Sequence, residues 1–448
     1  MYPKLDCRQL EVGDAMVHHG SFPIPPAAGR PSMTMLRYSL GVLLLLSLAS
    51  GLRADWTVTV RGGAKDQKNV PVKARVDASI GAEAESGALE VTVNGKTMVG
   101  QLTGAGLLAQ DTPVPDQKVS REVHFVLPEL PANSILTCEV KRSKKSGPSF
   151  AWKDEAGNFA ELSFDGRPVI RYMYTTFDES TPEKRFQTYK IYHHMYDPSG
   201  KTLVTKGFEG QGGDFPHHRG VFYGFNKISY GDKKTADVWH CNGGEHQGHE
   251  KFVAQEAGPV LGRHLLEIGW YGKDKKKFAT ELREITIYNT PGGTLLEFAS
   301  RLESLVGPIK LDGDPQHAGF QFRAALEVKA KTAKQSYYVR PDGVGKPGET
   351  RNWPGQKTHA DLPWDALSFV VEGNRYTCAY LDRPQNPKEA RFSERDYGRF
   401  GSYFEAMVDE KKPLELNYRL WLQAGEMKVE EVDALSKQFT DLAKPTVK

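Results

Sequence analysis

Two adjacent histidines and an arginine stand in the segment GGDFPHHRGVFYGF, between paired glycines and an aromatic run. Imidazole titrates near neutral pH and binds transition metals, and a guanidinium offers a planar fork to a carboxylate or to vicinal hydroxyls. The proline disfavours a helical conformation before it, so His217, His218 and Arg219 are predicted to lie where a loop enters a strand. The segment predicts either a reaction centre or a loop pinned by an ion pair between Arg219 and Asp214.

Adjacent histidines in extended chain have different surroundings, because successive side chains of a strand point to opposite faces. One of His217 and His218 is therefore predicted to face the site and the other to brace the loop. The same rule separates His193 from His194 in the segment YKIYHHMY, where His193 shares its face with apolar side chains. His193 is thus a further catalytic candidate, and its alternative is a core histidine.

A second group of histidines follows in the segment DVWHCNGGEHQGHE. His240, His246 and His249, with Glu245 or Cys241, supply enough donor atoms for zinc or copper. The spacing matches no standard zinc motif, and the glycines are equally typical of a solvated loop. The cofactor prediction stays open between no metal and a divalent or copper ion held by these three histidines.

The segment HAGFQFRAA has a polar and an apolar face when it is extended. His317, Gln321 and Arg323 share one face, and phenylalanines and alanines occupy the other. This pattern favours a lined binding groove over an ordinary solvent-facing strand. Aromatic side chains such as Trp239 offer flat apolar surfaces with polar edges, which match the C–H faces and hydroxyl rims of sugars.

The elements that must position these residues are short runs with period-two alternation, separated by glycine, proline and polar turns. They predict an all-β chain with a small N-terminal β-sandwich over residues 55–145 and a large antiparallel β-sandwich over residues 150–428. The basic segment KRSKKSGPS marks the boundary between the two. Apolar residues recur at helical spacing near the end, which predicts a C-terminal helix over residues 429–445.

The segment MTMLRYSLGVLLLLSLASGLRADW is typical of a secretory signal peptide, over residues 33–54, with cleavage near Ala54. Residues 1–32 are then an upstream extension. The apolar run is shorter than the roughly 20 residues of a transmembrane helix. We expect an exported protein, periplasmic or extracellular, whose mature chain has no membrane span.

The charge distribution and the number of cysteines exclude two further classes, nucleic-acid-binding proteins and disulfide-rich proteins. There are 59 lysines and arginines against 56 acids, a net charge of +3 that is spread along the chain. Nucleic acid is therefore not an expected partner, because it is bound by a concentrated basic face. Beyond the predicted signal peptide, the three cysteines Cys138, Cys241 and Cys378 are too few for a disulfide framework.

Seven segments resemble, in order and spacing, a family of exported bacterial proteins that is labelled methane oxygenase PmoA, a domain of unknown function. They are RPVIRYMY, YHHMYDPSGKTLVT, DFPHHRGVFYGF, DVWHCN, HAGFQFRAA, DRPQNPKEARFSERDYGRFGSYF and YRLWLQAG, within about residues 150–425. Arg383 stands where that family is expected to carry a histidine. The resemblance singles out ten positions: His193, His217, His218, Arg219, Trp239, Arg323, Asn386, Arg395, Tyr397 and Gly398.

The resemblance implies a large β-sandwich of the galactose-mutarotase-like kind, a fold that hosts carbohydrate epimerases, hydrolases and lyases. The sequence therefore predicts an exported carbohydrate-active enzyme that uses histidine acid/base chemistry on a sugar or glycan. A carbohydrate or another small molecule would be held by six residues: His317, Gln321, Arg323, Trp239, Arg395 and Tyr397. Two alternatives stay open, namely a histidine-ligated metal oxygenase or oxidase, as the family label implies, and a noncatalytic glycan-binding surface module.

Overall fold

The computed structural model describes residues 56–76, 87–109, 121–208, 215–441 and 443–447. The predicted signal peptide and upstream extension lie outside these residues, and so does Asp214. The described chain consists mainly of antiparallel strands in four sheets, which confirms the all-β fold class. None of the helices in this part of the chain has the length and apolar character needed to cross a bilayer.

A seven-stranded sheet is formed by the first strands of the described chain together with the last. In order across the sheet, the strands are Gln67–Val76, Arg121–Leu130, Lys96–Gly104, Gly87–Val93, Ile135–Arg142, Trp56–Arg61 and Lys444–Val447. Alternate valines and leucines of these strands are buried in one core. The strand Lys444–Val447 pairs antiparallel with Trp56–Arg61, so residues from both ends of the described chain share one sheet.

Two larger sheets follow. The eight-stranded sheet consists, in order, of Arg391–Arg395, Arg399–Tyr403, Ala318–Arg323, Val221–Phe225, Tyr192–Met195, Arg167–Met173, Phe159–Phe164 and Phe150–Glu155. The nine-stranded sheet consists of His246–Ala257, Leu261–Tyr271, Lys277–Thr290, Gly293–Ser304, Leu414–Ala424, Asn374–Asp382, Trp364–Val371, Tyr337–Arg340 and Gly343–Val344.

The remaining elements are small. A four-stranded sheet contains Lys234–Ala236, Lys227–Tyr230, Ile309–Asp312 and Ala406–Val408. The α-helices in the described residues are Pro182–Thr188 and Val429–Thr440, and short 3-10 or π turns cover Leu107–Ala109, Val328–Thr332 and Ala333–Gln335. The C-terminal helix buries Val432 and Phe439, as its apolar spacing predicts, but it ends at Thr440 and the chain continues into a strand.

The two larger sheets pack face to face. The Phe298 ring of the nine-stranded sheet lies 4.3 Å from the Phe320 ring and 6.0 Å from the Tyr223 ring of the eight-stranded sheet, measured between centroids. Since side chains alternate along a strand, the residues next to these core aromatics point to the opposite face. We call this opposite face, which carries Phe222, Gln321 and the cross-strand pair Arg323 and Arg399, the site face.

The N-terminal sheet is fixed to the nine-stranded sheet by buried polar contacts. The Gln101 side-chain oxygen accepts hydrogen bonds from the backbone N–H groups of Val260, at 3.0 Å, and Leu261, at 2.9 Å. Arg263 reaches Glu122 across the same boundary, at 3.4 Å. Such contacts are specific because a buried polar group without a partner costs about 1–3 kcal/mol.

Candidate functional site

Three histidines from three separate loops meet beside the site face. His217 precedes strand Val221–Phe225, His240 follows strand Lys234–Ala236, and His317 immediately precedes strand Ala318–Arg323. One ring nitrogen of each lies within 4.8 Å of a ring nitrogen of the other two. The His240 ring centroid is 4.6 Å from that of His217 and 4.4 Å from that of His317. We call these three residues the histidine triad.

Two members of the triad are oriented by a carboxylate three residues earlier in the chain. Asp237 Oδ2 lies 2.8 Å from Nδ1 of His240, and Asp314 Oδ1 lies 2.8 Å from Nδ1 of His317. Each aspartate also accepts hydrogen bonds from backbone N–H groups of its own loop, which holds the carboxylate in place. A carboxylate at Nδ1 leaves Nε2 as the nitrogen that can bind a ligand or a metal, and fixes the ring for that purpose.

His217 is held through its backbone. Its carbonyl accepts a hydrogen bond from Lys190 Nζ at 3.2 Å, and the same ammonium donates to the carbonyl of Trp239. The Nε2 atom of His217 is buried without a hydrogen-bond partner among the described residues. Burial, and after it the charge of Lys190, lowers the pKa of His217 to about 2. The imidazole is therefore neutral, the form in which it ligates metals.

His218 flanks the triad without belonging to it. Its ring centroid lies 4.3 Å from that of His217, 5.6 Å from Trp239 and 6.0 Å from Tyr397. Both ring nitrogens are buried, and neither has a hydrogen-bond partner in the described part of the chain. Burial first, and then the neighbouring His217, hold the pKa of His218 well below its ordinary value. The two histidines lie in and just after a turn, in which the His218 N–H donates to the carbonyl of Phe215, so their different surroundings come from the turn and not from strand alternation.

Polar and aromatic side chains of the site face lie beneath the histidines. Gln321 accepts a hydrogen bond from Arg399 Nη1 at 2.8 Å and donates from Nε2 to the carbonyl of Ala318 at 3.0 Å. The Arg323 guanidinium lies 5.0 Å from the centroid of the Tyr397 ring and donates to the Tyr397 carbonyl. Gln321, Arg323 and Tyr397, predicted as binding residues, therefore belong to one surface with His317.

Two further predicted residues complete this surface. The Trp239 ring is fully buried, 4.8 Å from the Phe222 ring and 6.2 Å from the His317 ring. Arg395 is half-buried and donates to Asn352 Oδ1 and to the carbonyl of Glu394. The site face thus combines a buried indole with three arginines on neighbouring strands.

His246 and His249 do not join His240. Both belong to strand His246–Ala257 of the nine-stranded sheet. The His246 ring stacks between Phe177 and Tyr271, at centroid distances of 3.9 and 4.3 Å, and His249 Nδ1 lies 3.2 Å from the Tyr172 hydroxyl. His240 instead finds its partners in His217 and His317, which are distant in sequence.

His193 lies on the core side of the eight-stranded sheet. Its Nε2 atom is 3.0 Å from Nε2 of His264 in the nine-stranded sheet, and its ring stacks on Tyr172. Burial lowers the pKa of His193 well below its ordinary value and that of His264 to about 3. The two neutral rings therefore share one proton between facing nitrogens, inside the sandwich and away from the triad.

Arg219 is fully buried and binds backbone carbonyls. Its guanidinium donates to the carbonyl of Pro216 at 2.9 Å, to that of Gln187 at 3.1 Å and to that of Phe186. The last two carbonyls belong to the C-terminal turn of helix Pro182–Thr188, where carbonyls lack partners within the helix. Arg219 thus fixes the histidine-bearing loop to this helix.

Asn386 and Gly398, singled out by the family resemblance, have structural surroundings. Asn386 exchanges hydrogen bonds with the backbone of Asn417, at 2.8 and 2.9 Å, and Gly398 forms a turn with φ +78° against Ala324. Arg383 donates to Asn417 Oδ1 at 3.1 Å, in the same network of side chains.

A second cluster of potential ligands lies inside the sandwich. His359, Asp365 and Glu394 are buried and each offers one atom within 4.8 Å of the others. Both carboxylate oxygens of Glu394 already accept hydrogen bonds from Arg340, at 2.7 and 2.6 Å. This guanidinium supplies the positive charge that a cation would bring, so the cluster is an internal ion-pair network.

Sequence reasoning missed Asp314 and Arg399. Asp314 has a sequence signal, because both oriented histidines end an Asp-x-x-His tetrapeptide, DVWH and DPQH. An aspartate that caps a turn can reach the Nδ1 atom of a histidine three residues later. Arg399 has no local signal, because its position under the triad depends on the pairing of strands Ala318–Arg323 and Arg399–Tyr403.

Comparisons with known proteins give the family and leave the activity open. No curated protein matches the chain. Among solved structures, the GH36 alpha-galactosidase AgaA from Geobacillus stearothermophilus in complex with 1-deoxygalactonojirimycin matches with 9% identity and a TM-score of 0.30, over 63% of this chain and 40% of that enzyme. A likeness this weak bears on neither the site nor the reaction.

The methane oxygenase label finds no support in these comparisons. The model of a family of unknown function, DUF6807, matches residues 160–437, and the chain belongs to this family.

Proposed function

We propose that this protein is a transition-metal-dependent enzyme that acts on a sugar or a sugar-derived molecule. The observation that carries the proposal is the histidine triad, in which the nitrogens of His217, His240 and His317 converge and two rings are oriented by aspartates. Carboxylate–histidine pairs of this kind are typical of metal sites, since the carboxylate raises the basicity of the ligand and fixes its tautomer.

The donor set indicates the class of metal. Three imidazoles suit zinc, copper, iron or nickel better than calcium or magnesium, which prefer oxygen ligands. In a tetrahedral site with metal–nitrogen bonds of about 2.0–2.1 Å, ligand nitrogens lie roughly 3.3 Å apart. Binding would therefore draw rings that lie within 4.8 Å of each other slightly closer together. Three protein ligands leave a coordination position open, as catalytic sites require.

The chain's own residues would bind and orient the substrate. A metal ion with an open position polarises a substrate oxygen or activates a bound water. The two ring nitrogens of His218 have no hydrogen-bond partner among the described residues, and the ring lies beside the triad. His218 is thus the group placed to accept a proton from a bound molecule or to donate one to it. Gln321 and Arg323 would supply hydrogen bonds from the sheet below.

Aromatic side chains at the edge of the site support a sugar as substrate. The Phe215 ring, 38% exposed, stacks on the half-buried Tyr397 ring at 4.8 Å between centroids. Flat apolar surfaces bordered by hydrogen-bonding groups match the C–H faces and hydroxyls of a sugar ring. Export, predicted from residues 33–54, would bring such an enzyme to extracellular or periplasmic glycans.

The metal content of the purified full-length protein tests the proposal. After expression with added zinc, copper, iron and nickel salts, we expect about one equivalent of one of these metals by elemental analysis. We also expect turnover of at least one member of a glycan panel that a chelator abolishes and the same metal restores. Less than about a tenth of an equivalent of each metal would overturn the metal site.

Two other outcomes would contradict the proposal in different ways. Full turnover by the metal-free protein would replace the metal enzyme by histidine acid/base catalysis. Calorimetric binding of a glycan without any product on long incubation would instead indicate a glycan-binding module.

A further inference from the structure

We propose that the substrate carries a carboxylate group, as a uronic acid does, and that Arg399 and Arg395 bind it beside the histidine triad. This inference rests on the proposed function, because it names the class of sugar that the same site takes. It is carried by Arg395 and Arg399, which lie opposite each other on adjacent strands of the site face.

The three arginines are cross-strand neighbours. Arg399 pairs with Arg323 on one side and with Arg395 on the other. Directly opposed residues of antiparallel strands have side chains roughly 5 Å apart, and like charges at that distance destabilise the sheet. Arg395 and Arg399 therefore need a negative charge nearby, from the protein or from a ligand.

The protein supplies no carboxylate to Arg395 or Arg399 within the described ranges. Arg399 donates to the neutral acceptors Gln321 Oε1, at 2.8 Å, and Ser393 Oγ, at 3.1 Å. Arg395 donates to Asn352 Oδ1 and to a backbone carbonyl. Both guanidiniums are thus positioned by neutral groups, and no described carboxylate compensates their charge.

Arg399 has donors that the protein leaves unused. Its side chain is fully buried, and its Nε–H has no hydrogen-bond partner among the described residues. Its Nη2 carries two hydrogens and makes one hydrogen bond, to Ser393. The Nε–Nη2 edge therefore offers two parallel N–H donors, the geometry that matches a carboxylate. Burial of a charge without a counter-charge is costly, and a bound anion would remove that cost.

The row formed by Arg323, Arg399 and Arg395 lies next to the histidine triad. Its Arg395 end lies at the hairpin between strands Arg391–Arg395 and Arg399–Tyr403. The Arg399 Cζ atom is 6.0 Å from the centroid of the Trp239 ring, which in turn is 6.2 Å from that of His317. Arg395 and Tyr397 are half-buried, so this end of the row reaches solvent. The arginines are therefore close to the histidine triad.

Calorimetric titration with paired acidic and neutral sugars tests the inference. We expect glucuronate or galacturonate to bind the metal-loaded protein roughly 10- to 100-fold more tightly than glucose or galactose, because charge-assisted hydrogen bonds add to the neutral contacts. The variants Arg399→Gln and Arg395→Gln should each lose most of this preference. The control Arg61→Gln removes an exposed arginine of the N-terminal sheet and should keep it.

The outcomes separate this inference from the proposed function. Equal affinity of wild-type protein for acidic and neutral sugars, or an unchanged preference in both arginine variants, would overturn the carboxylate assignment while leaving the metal site intact. Inorganic sulfate that displaces glucuronate at equal concentration would overturn it too, since the site would then take any oxyanion. The same titration on metal-free protein examines the arginines alone, so a failure of the triad to bind metal is recognised separately. Circular dichroism confirms that each variant is folded.

Discussion

Replacement of His317 by alanine is expected to lower the affinity of the protein for its transition metal roughly 100- to 1000-fold. Structural zinc sites with four ligands are worth about 10–16 kcal/mol, so one ligand accounts for roughly 2.5–4 kcal/mol. His240→Ala should have the same effect, because the rings of His240 and His317 lie on the same centre, 4.4 Å apart. Competition with a chromogenic chelator measures the affinity.

Two variants with a smaller expected effect test whether the aspartates orient the histidines of the triad. Asp314→Asn and Asp237→Asn keep the histidines and replace the carboxylates that orient them. Loss of such a partner lowers metal affinity by about 10- to 100-fold. His249→Ala is the matched control, since this histidine belongs to the nine-stranded sheet and contacts Tyr172. Equal affinity in the His317 variant and the control would contradict the triad as a metal site.

Substitution of Gly319 by alanine is expected to destabilise the protein by about 2–5 kcal/mol, or to prevent its folding. Gly319 has φ +89°, and a Cβ atom there would overlap the carbonyl oxygen of Ser402 and lie 2.8 Å from Cα of Tyr403. The left-handed conformation costs alanine roughly 1–2 kcal/mol, and the overlap adds roughly 1–3 kcal/mol by forcing two paired strands apart. Chemical denaturation of both proteins measures the difference.

A second glycine, Gly307, separates the cost of the left-handed conformation from the cost of the steric overlap. Gly307 has φ +81°, and no atom lies within 4 Å of the position that an alanine methyl group would take there, so Gly307→Ala carries the conformational cost alone. We expect about 1–2 kcal/mol for this control. Similar losses for both variants would mean that strands Ala318–Arg323 and Arg399–Tyr403 are not in such close contact. Because His317 immediately precedes strand Ala318–Arg323, a folded Gly319→Ala protein should also bind metal more weakly.

Much of the fold follows from the sequence because its causes are local. Period-two alternation in HAGFQFRAA predicts a strand with Phe320 and Phe322 on one face and Gln321 and Arg323 on the other. The structure has strand Ala318–Arg323 with the phenylalanines in the core between the sheets. Apolar spacing predicts the terminal helix, and its end differs because the following residues gain a strand partner in Trp56–Arg61.

The composition of the site depends on long-range pairing, which local patterns do not encode. Proximity in sequence favours His240, His246 and His249 as a group, but a strand begins at His246 and leads the chain into the nine-stranded sheet. The partners of His240 lie 23 residues earlier and 77 residues later in the chain. Only the register of the strands next to them brings these loops together.

Arg219 shows a second limit of what can be predicted from the sequence. A guanidinium next to two histidines has the composition of a substrate-binding group, and sequence alone leaves its acceptor undefined. Here the acceptors are the last carbonyls of a seven-residue helix that starts 37 residues earlier. The arginines that face the histidines instead come from the hairpin near residue 397, where the sequence signal is resemblance alone.

The pairing of strand Lys444–Val447 with strand Trp56–Arg61 has a consequence for biosynthesis. During vectorial synthesis the first of these strands leaves the ribosome long before the second exists, and its outer edge stays unpaired until residues 444–447 have been made. Unpaired strand edges are sites of aggregation. The outer edge of Trp56–Arg61 is therefore open to pairing with another chain during that interval, and a chain truncated before Lys444 would leave it exposed in every molecule made.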